Sequence, residues 1–296
     1  MATIIENIQT LHSIKTDIKD AILSKGVSVG NDFRTYAQAI TDLPSGGGGG
    51  TEMEDAFVQR TLSGYYSNDR VSKVGAYAFT DCTSLTSINF PNCKLIRNYA
   101  FAFCYSLTSV NFPNCTYISD NAFCYCSALT SVNFPNCTTI SYSAFGDCSA
   151  LTSVDFPNCQ NVGMGAFISC RSLTSVNFPN CTYISTGAFR YCSALTSVNF
   201  PNCTSISYSA FGNCSALTSV YIPNCTTISN YAFANCTNLE QVYLNSVSII
   251  TKISSSTFSN CPNLTSVYVP SSLVSFYRRA SYWSSMSHKI VAYKEG

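Results

Sequence analysis

Seventeen cysteines and two histidines are the residues of this 296-residue chain best suited to chemistry. So many thiols suggest a metal cluster, a redox relay or a disulfide framework, and their spacing decides among these. From Cys82 the series runs through Cys93, Cys104, Cys115, Cys126, Cys137, Cys148, Cys159, Cys170, Cys181, Cys192, Cys203, Cys214 and Cys225 to Cys236 in constant steps of eleven, and only Cys124 and Cys261 fall outside it. Metal sites and disulfide frameworks use clustered, irregular pairs, whereas a constant step marks a constant structural position. The thiols are therefore expected to be small buried residues where the chain turns, with raised pKa values and little reactivity. Cys124 stands where other units place Ala102, Gly146, Ile168, Arg190, Gly212 or Ala234, so it is expected outside the ladder and is the best candidate for a reactive thiol. No metal and no cofactor is expected.

Other catalytic groups are scarce. The histidines are His12 and His288, and between Leu85 and Leu239 the only charged residues are Lys94, Arg97, Asp120, Asp147, Asp155, Arg171 and Arg190. That stretch holds no Ser/His/Asp set, no evidently convergent carboxylate pair and no phosphate-cradling glycine loop, so an enzyme is not expected. Sixteen Lys and Arg against fifteen Asp and Glu give a net charge of +1, too little to build the basic stripe that nucleic-acid binding needs. Charged residues are 10% of the chain, where about 25% is usual, so the surface must be made of Ser, Thr, Asn and Tyr. No apolar run reaches the 18 residues of a membrane span, and Glu6, Lys15, Asp17, Lys19 and Asp20 interrupt the place of a signal-peptide core. Retention in the cytoplasm, or export without such a signal, is the expectation.

The true period is 22. Leu85, Leu107, Leu129, Leu151, Leu173, Leu195, Leu217 and Leu239 keep that step, and Leu264 follows after 25, which makes nine units. In LTSVNF the fourth and sixth positions are apolar and the third and fifth polar, the alternation of a half-buried strand, and the following Pro stops it. One unit is too small to bury its own apolar face, so successive coils must stack and pair their strands in parallel. Phe90, Phe112, Phe134, Phe156, Phe178 and Phe200 are expected to stack behind the sheet, and Phe79, Phe101, Phe123, Phe145, Phe167, Phe189, Phe211, Phe233 and Phe258 on the return side. Leu85, Ile88, Phe90 and Cys93 fit LxxLxLxxC, which resembles the leucine-rich repeat, and Ala144, Phe145 and Cys148 on the return half resemble its bacterial-surface-protein class, also found in treponemal proteins. The resemblance covers about residues 71–270. It implies a leucine-rich repeat solenoid of stacked parallel β-strands with irregular return segments.

The expected organisation is a helical attachment or oligomerisation segment over residues 1–43, a Gly-rich linker over 44–50, an N-terminal cap over 51–78, nine repeats over 79–270 and a C-terminal cap over 271–296. Ile4, Leu11, Ile14 and Ile18 lie on one helical stripe, which suits either oligomerisation, as a trimer, or an intramolecular helix hairpin. The string from Ile14 to Gly50 resembles segments near the start of tail-fibre and other appendage proteins of phages and prophages. That resemblance implies a virion protein assembled in the bacterial cytoplasm, joined to other virion proteins through residues 1–43 and presenting the solenoid to a host-cell glycan or protein. The alternatives are a bacterial cell-surface adhesin and a spacer that binds nothing. In the cap, Trp283 is expected in the core, and Arg278, Arg279 and Lys289 as solvated charge or partner contacts.

Candidate binding residues lie on the outward positions. The strand ladder of Ser and Asn changes at Asp155 and ends in Tyr221, Tyr243 and Tyr268. On the turns, Tyr117 and Tyr183, Tyr125 and Tyr191, and Tyr142 and Tyr208 each recur after 66 residues, three whole units. Tyrosine beside small hydrogen-bonding groups makes an adaptable recognition surface, and neutral stacking suits sugars. The plainer reading is that each tyrosine covers a turn.

Overall fold

The computed structural model describes residues 52–53, 62–244, 250 and 253–293. The stripe Ile4, Leu11, Ile14 and Ile18 and the linker lie outside the described residues. What is described is a solenoid of parallel strands. Each coil crosses the long-strand face once: Gly64–Ser67, Leu85–Asn89, Ser109–Asn111, Ser131–Asn133, Ser153–Asp155, Ser175–Asn177, Ser197–Asn199, Ser219–Tyr221, Gln241–Tyr243 and Ser266–Val269. Equivalent residues pair directly, Val110 with Val132 and Val220 with Val242, because identical units can stack only in one register without exposing their apolar positions. Within the expected N-terminal cap, Gly64–Ser67 already pairs with Leu85–Asn89 and Lys73–Val74 with Leu95–Ile96, as the two strands of one more coil.

The return half is more regular than expected. Nine two-residue strands, from Glu52–Met53 and Lys73–Val74 to Thr227–Ile228, form one unbroken parallel sheet. Two residues are too few to show an alternation. The sequence sign was instead the 22-residue recurrence of the β-branched Ile96, Ile118, Ile140, Val162, Ile184, Ile206 and Ile228, all buried.

Between the two faces runs a double column of phenylalanines. Return-side rings, Phe79 to Phe258, stack at 4.9 to 5.5 Å with near-parallel planes. They meet the strand-side rings edge-on, as Phe123 meets Phe134 at 5.8 Å and 64°. Offset stacking within a column and edge-to-face contact between columns satisfies the ring quadrupoles while filling the core. The cysteines flank this double column. Cys104, Cys126, Cys148 and their successors donate Sγ–H to a phenylalanine carbonyl of the preceding coil, Cys126 to Phe101 at 3.1 Å. The alternate set, such as Cys115 and Cys137, turns inward to a carbonyl two residues on. Outside, Asn114, Asn136, Asn158, Asn180 and Asn202 each donate Nδ2 to the proline carbonyl of the coil before, at 2.8 Å. The amide nitrogens of these five asparagines are thus spent in a structural ladder.

The long-strand face, unlike the return face, breaks into sheets of four, two and five strands. The openings fall on either side of the pair Ser153–Asp155 and Ser175–Asn177. There the amides of Phe134 and Phe178 lack the bonds that Phe112 and Phe156 make to Asn133 and Asn177. The ring stack widens at the same two steps, to 5.8 Å between Phe134 and Phe156 and 6.1 Å between Phe178 and Phe200. Val132 and Val176, just before each gap, are half-buried where Val110, Val154 and Val198 are buried.

At the far end, Ile290–Ala292 adds a parallel strand to Ser266–Val269, and the helix Val274–Arg279 lies in the connection. Trp283 and Tyr277 are buried and meet edge-to-face at 5.6 Å. Arg278 is exposed, as expected of a solvated charge, and its guanidinium also donates to the Ile290 carbonyl at 2.7 Å, fastening helix to strand. No helix among the described residues is long and apolar enough to cross a membrane.

Candidate functional site

The thiols are accounted for by the interior. All seventeen cysteines are buried, and none forms a disulfide. Burial pushes Cys93 up to about 11 and Cys115 and Cys159 up to about 12. Cys124 corrects the sequence reading. It is 4% exposed, and burial, then the Asp147 carboxylate, pushes it up to about 12. Its position lies under the turn, where Ala102 and Gly146 are also buried. A protonated, covered thiol is a poor nucleophile. Among the described residues no cluster of three His, Cys, Asp or Glu side chains is placed to hold a metal ion.

The outward positions of the long strands form an amide ladder. Asn111 donates Nδ2 to Oδ1 of Asn89 at 2.8 Å, Asn133 to Asn111 at 2.7 Å, and Asn177 to Asp155 at 2.8 Å. Asp155 is therefore an acceptor at which the run of carboxamides restarts. Tyr221 lies three strand steps away, about 14 Å at ordinary strand spacing, so the fold does not bring the two together. The next rung, Asn199, follows the second opening of the sheet. Its exposed carboxamide makes no side-chain hydrogen bond, and it pairs in register with Tyr221. Sequence reasoning did not single out Asn199, because an Asn in a column of Asn carries no signal; what frees it is the gap beside it.

Beyond Asn199 the column becomes aromatic. Tyr243 and Tyr268 are half-buried and stack at 4.7 Å and 11°, with Tyr293 edge-on to Tyr243 at 6.3 Å. Tyr243 donates its hydroxyl to Gln241 Oε1 at 2.7 Å. Burial, then the neighbouring Tyr268 and Tyr293, raises its phenol above the ordinary value. Tyr221 departs from the stack. It is tilted 49° from Tyr243 at 6.2 Å and is 37% exposed, with a ring on one side and Asn199 on the other. Rigid aromatic area thus adjoins an unspent amide, on a stretch of face with no charged residue between Asp155 and Tyr268 at the outward positions.

The remaining tyrosines lie elsewhere. Tyr117 and Tyr183 are on the short strands, where each phenol oxygen accepts from a serine one coil on: Ser141 at 2.9 Å and Ser207 at 2.8 Å. Tyr142 and Tyr208 follow those strands, and Tyr208 meets Tyr231 edge-on at 5.7 Å. Tyr125 and Tyr191 occupy a left-handed turn position, with φ of 59° and 65°. The three pairs do not converge on the strand-face tyrosines.

The description that matches this architecture is the BspA type leucine-rich repeat region, in six copies over residues 53–174 and 160–287. No curated protein matches. The chain is similar to a solved leucine-rich cell surface protein from Faecalibacterium prausnitzii, 22% identical over 82% of this chain and 83% of that one, with a TM-score of 0.41. It is also similar to a leucine-rich repeat protein of T. pallidum, at 21% identity over 64% and 82% and a TM-score of 0.42. A third is a leucine-rich repeat protein from Eubacterium ventriosum, at 18% identity over 69% and 72% and a TM-score of 0.40. With its 22-residue coils, its inward Leu, Phe and Cys columns and a match over most of its length, the chain belongs to the BspA-type leucine-rich repeat family.

Proposed function

We propose that the protein is a non-enzymatic recognition protein, an adhesin of the bacterial cell surface, and that it binds a neutral, hydroxyl-rich ligand such as a glycan at the junction of Asn199 and Tyr221. The observation that carries this reading is the pairing of a free carboxamide with a tilted, exposed ring held by a rigid tyrosine stack. A sugar offers apolar C–H faces to stack on a ring and hydroxyls to exchange with an amide. The neutral neighbourhood costs it no desolvated charge. Preformed strand-borne groups also reduce the ordering cost of binding.

A glycan array probed with the full-length chain tests this. Retention of a neutral glycan, lost at least tenfold in Tyr221→Asn and Asn199→Ala while the melting curve is unchanged, is the expected result; a blank array would refute it. Tyr221→Asn places in the column the residue that the rung before it, Asn199, already uses, so it disturbs the fold least.

Display on a virion through residues 1–43 is the second reading, favoured by the resemblance of Ile14 to Gly50 to appendage proteins. Proteomics separates the two places of display. Peptides released from intact cells by protease support the surface reading, and peptides confined to purified particles support the virion.

A further inference from the structure

A second aromatic surface lies on the turns of the first coils, away from the strand face. Two turn positions in each coil from Tyr77 to Asn235 adopt positive φ, a region cheap for Gly, Asn or Asp and costly for bulky side chains. In one of these columns the later coils use Asn213, Asn235 and Asn260, yet the early coils place Phe103 (φ 63°) and Tyr125 (φ 59°) there. The turn does not call for aromatic rings, so their presence points to a use at the surface.

The column reads acid, ring, ring, acid: Asp81, Phe103, Tyr125, Asp147. Its order is fixed by backbone bonds from Asp81 to Ala102, Phe103 to Cys124 and Tyr125 to Gly146, at 2.9, 2.9 and 2.8 Å. Phe103 and Tyr125 stack at 5.2 Å and 11°, with Tyr105 packed beside Phe103 at 6.3 Å, so it is the ring of Tyr125 whose outer side lies toward a carboxylate-bearing rung, that of Asp147. Tyr125 is 45% exposed, and the Asp147 carboxylate, then burial, raises its phenol above the ordinary value. Burial raises the Asp147 carboxyl above its ordinary value, against the opposing pull of the nearby Arg171 and a hydrogen bond from Ser169.

Three coils on, the same position shows what such a ring accepts. The guanidinium of Arg190 lies 4.7 Å over the ring of Tyr191 and donates to its phenol oxygen at 3.0 Å. Tyr125 has Cys124 in the place of Arg190, so the cation that covers Tyr191 from within the chain has no counterpart there. We propose that the Phe103–Tyr125 pair, with Asp147 beside it, docks an arginine side chain from a basic segment of a partner protein. A planar guanidinium stacks on a ring face and bonds a carboxylate in the same pose, which an ammonium does less well. This surface is independent of the Asn199–Tyr221 junction.

The test uses the full-length chain, a Gly-Arg-Gly-Arg-Gly peptide and its citrulline counterpart, with binding followed by NMR line shifts or calorimetry. Salt-sensitive binding of the arginine peptide is expected. It should weaken at least tenfold in Phe103→Asn/Tyr125→Asn, which keeps residues that the left-handed position accepts, and in Asp147→Asn, and it should be unaffected by Tyr221→Asn. Equal binding of the citrulline peptide, no binding by the wild type at millimolar peptide, or unchanged affinity in both variants would overturn the proposal.

Discussion

Replacing Phe145 by Ala removes a ring from the middle of the double column. Phe145 is fully buried, stacked on Phe123 and Phe167 at 5.2 Å each, and in contact with Phe134 and Phe156 at 6.0 Å each. Truncating a buried phenylalanine costs about 3 to 5 kcal/mol, and ring pairs add about 0.5 to 1.5 kcal/mol each beyond area, so the upper end applies here. That is a large part of the roughly 5 to 15 kcal/mol that holds a domain together. In a stack whose coils touch only their neighbours, the loss falls on the two interfaces flanking Phe145, and unfolding should divide there. The chain carries its own local reporter, because Trp283 is its one tryptophan and sits in the buried C-terminal cap. In urea titrations of the full-length wild type, far-UV circular dichroism and Trp283 fluorescence should trace one transition. In Phe145→Ala the dichroism should split, with an early loss from the N-terminal coils, while the Trp283 transition moves little. Tyr142→Ala, 49% exposed at the neighbouring turn, should change either midpoint by no more than about 0.5 kcal/mol in stability. Comparable losses from both substitutions, or a single unsplit transition in Phe145→Ala, would refute the reasoning.

The remaining predictions follow from the thiols and the amide ladder. Because burial raises the folded thiols to about 11 or 12 from an ordinary 9.0, the unfolded chain loses protons first as pH rises. Their contribution is fully present below pH 9 and is lost above it, at about 1.4 kcal/mol per thiol per pH unit. Stability should thus be nearly flat from pH 6 to 8, and reduced protein should unfold steeply within about two units above pH 9; native dichroism persisting at pH 11 would contradict this. Asn136→Ala removes the Nδ2 bond to the Pro113 carbonyl and should cost about 1 kcal/mol, whereas Asn136→Asp, which keeps the shape without the donor, should cost at least as much. A urea titration that finds both neutral would mean the turn ladder contributes nothing.

The inward columns could be read from the sequence because a 22-residue period repeats the same environment: Leu151, Phe156, Cys159 and Phe145 are each one member of a series, and all four are buried. Features of two residues or less, and those that depend on how rungs sit against each other, were not legible. The short strands such as Thr139–Ile140 fall below any detectable alternation. Cys124 was misread because its equivalents include Arg190, although Ala102, Gly146 and Gly212 were the better guide to a covered position. Tyr221, Tyr243 and Tyr268 were visible as a change of residue type, but not the tilt of Tyr221 nor the release of Asn199 by the opening after Ser175–Asn177. The left-handed turns were hidden as well, since Phe103 and Tyr125 are not residues that announce positive φ.

The most direct measurement counts thiols by intact mass after brief alkylation at pH 8 without prior reduction. If the coils stack with their sulfurs inside and in no disulfide, the native chain takes up no label within minutes and the chain in guanidinium takes up seventeen. Prompt labelling of the native chain, or fewer than seventeen adducts once it is unfolded, would contradict the account.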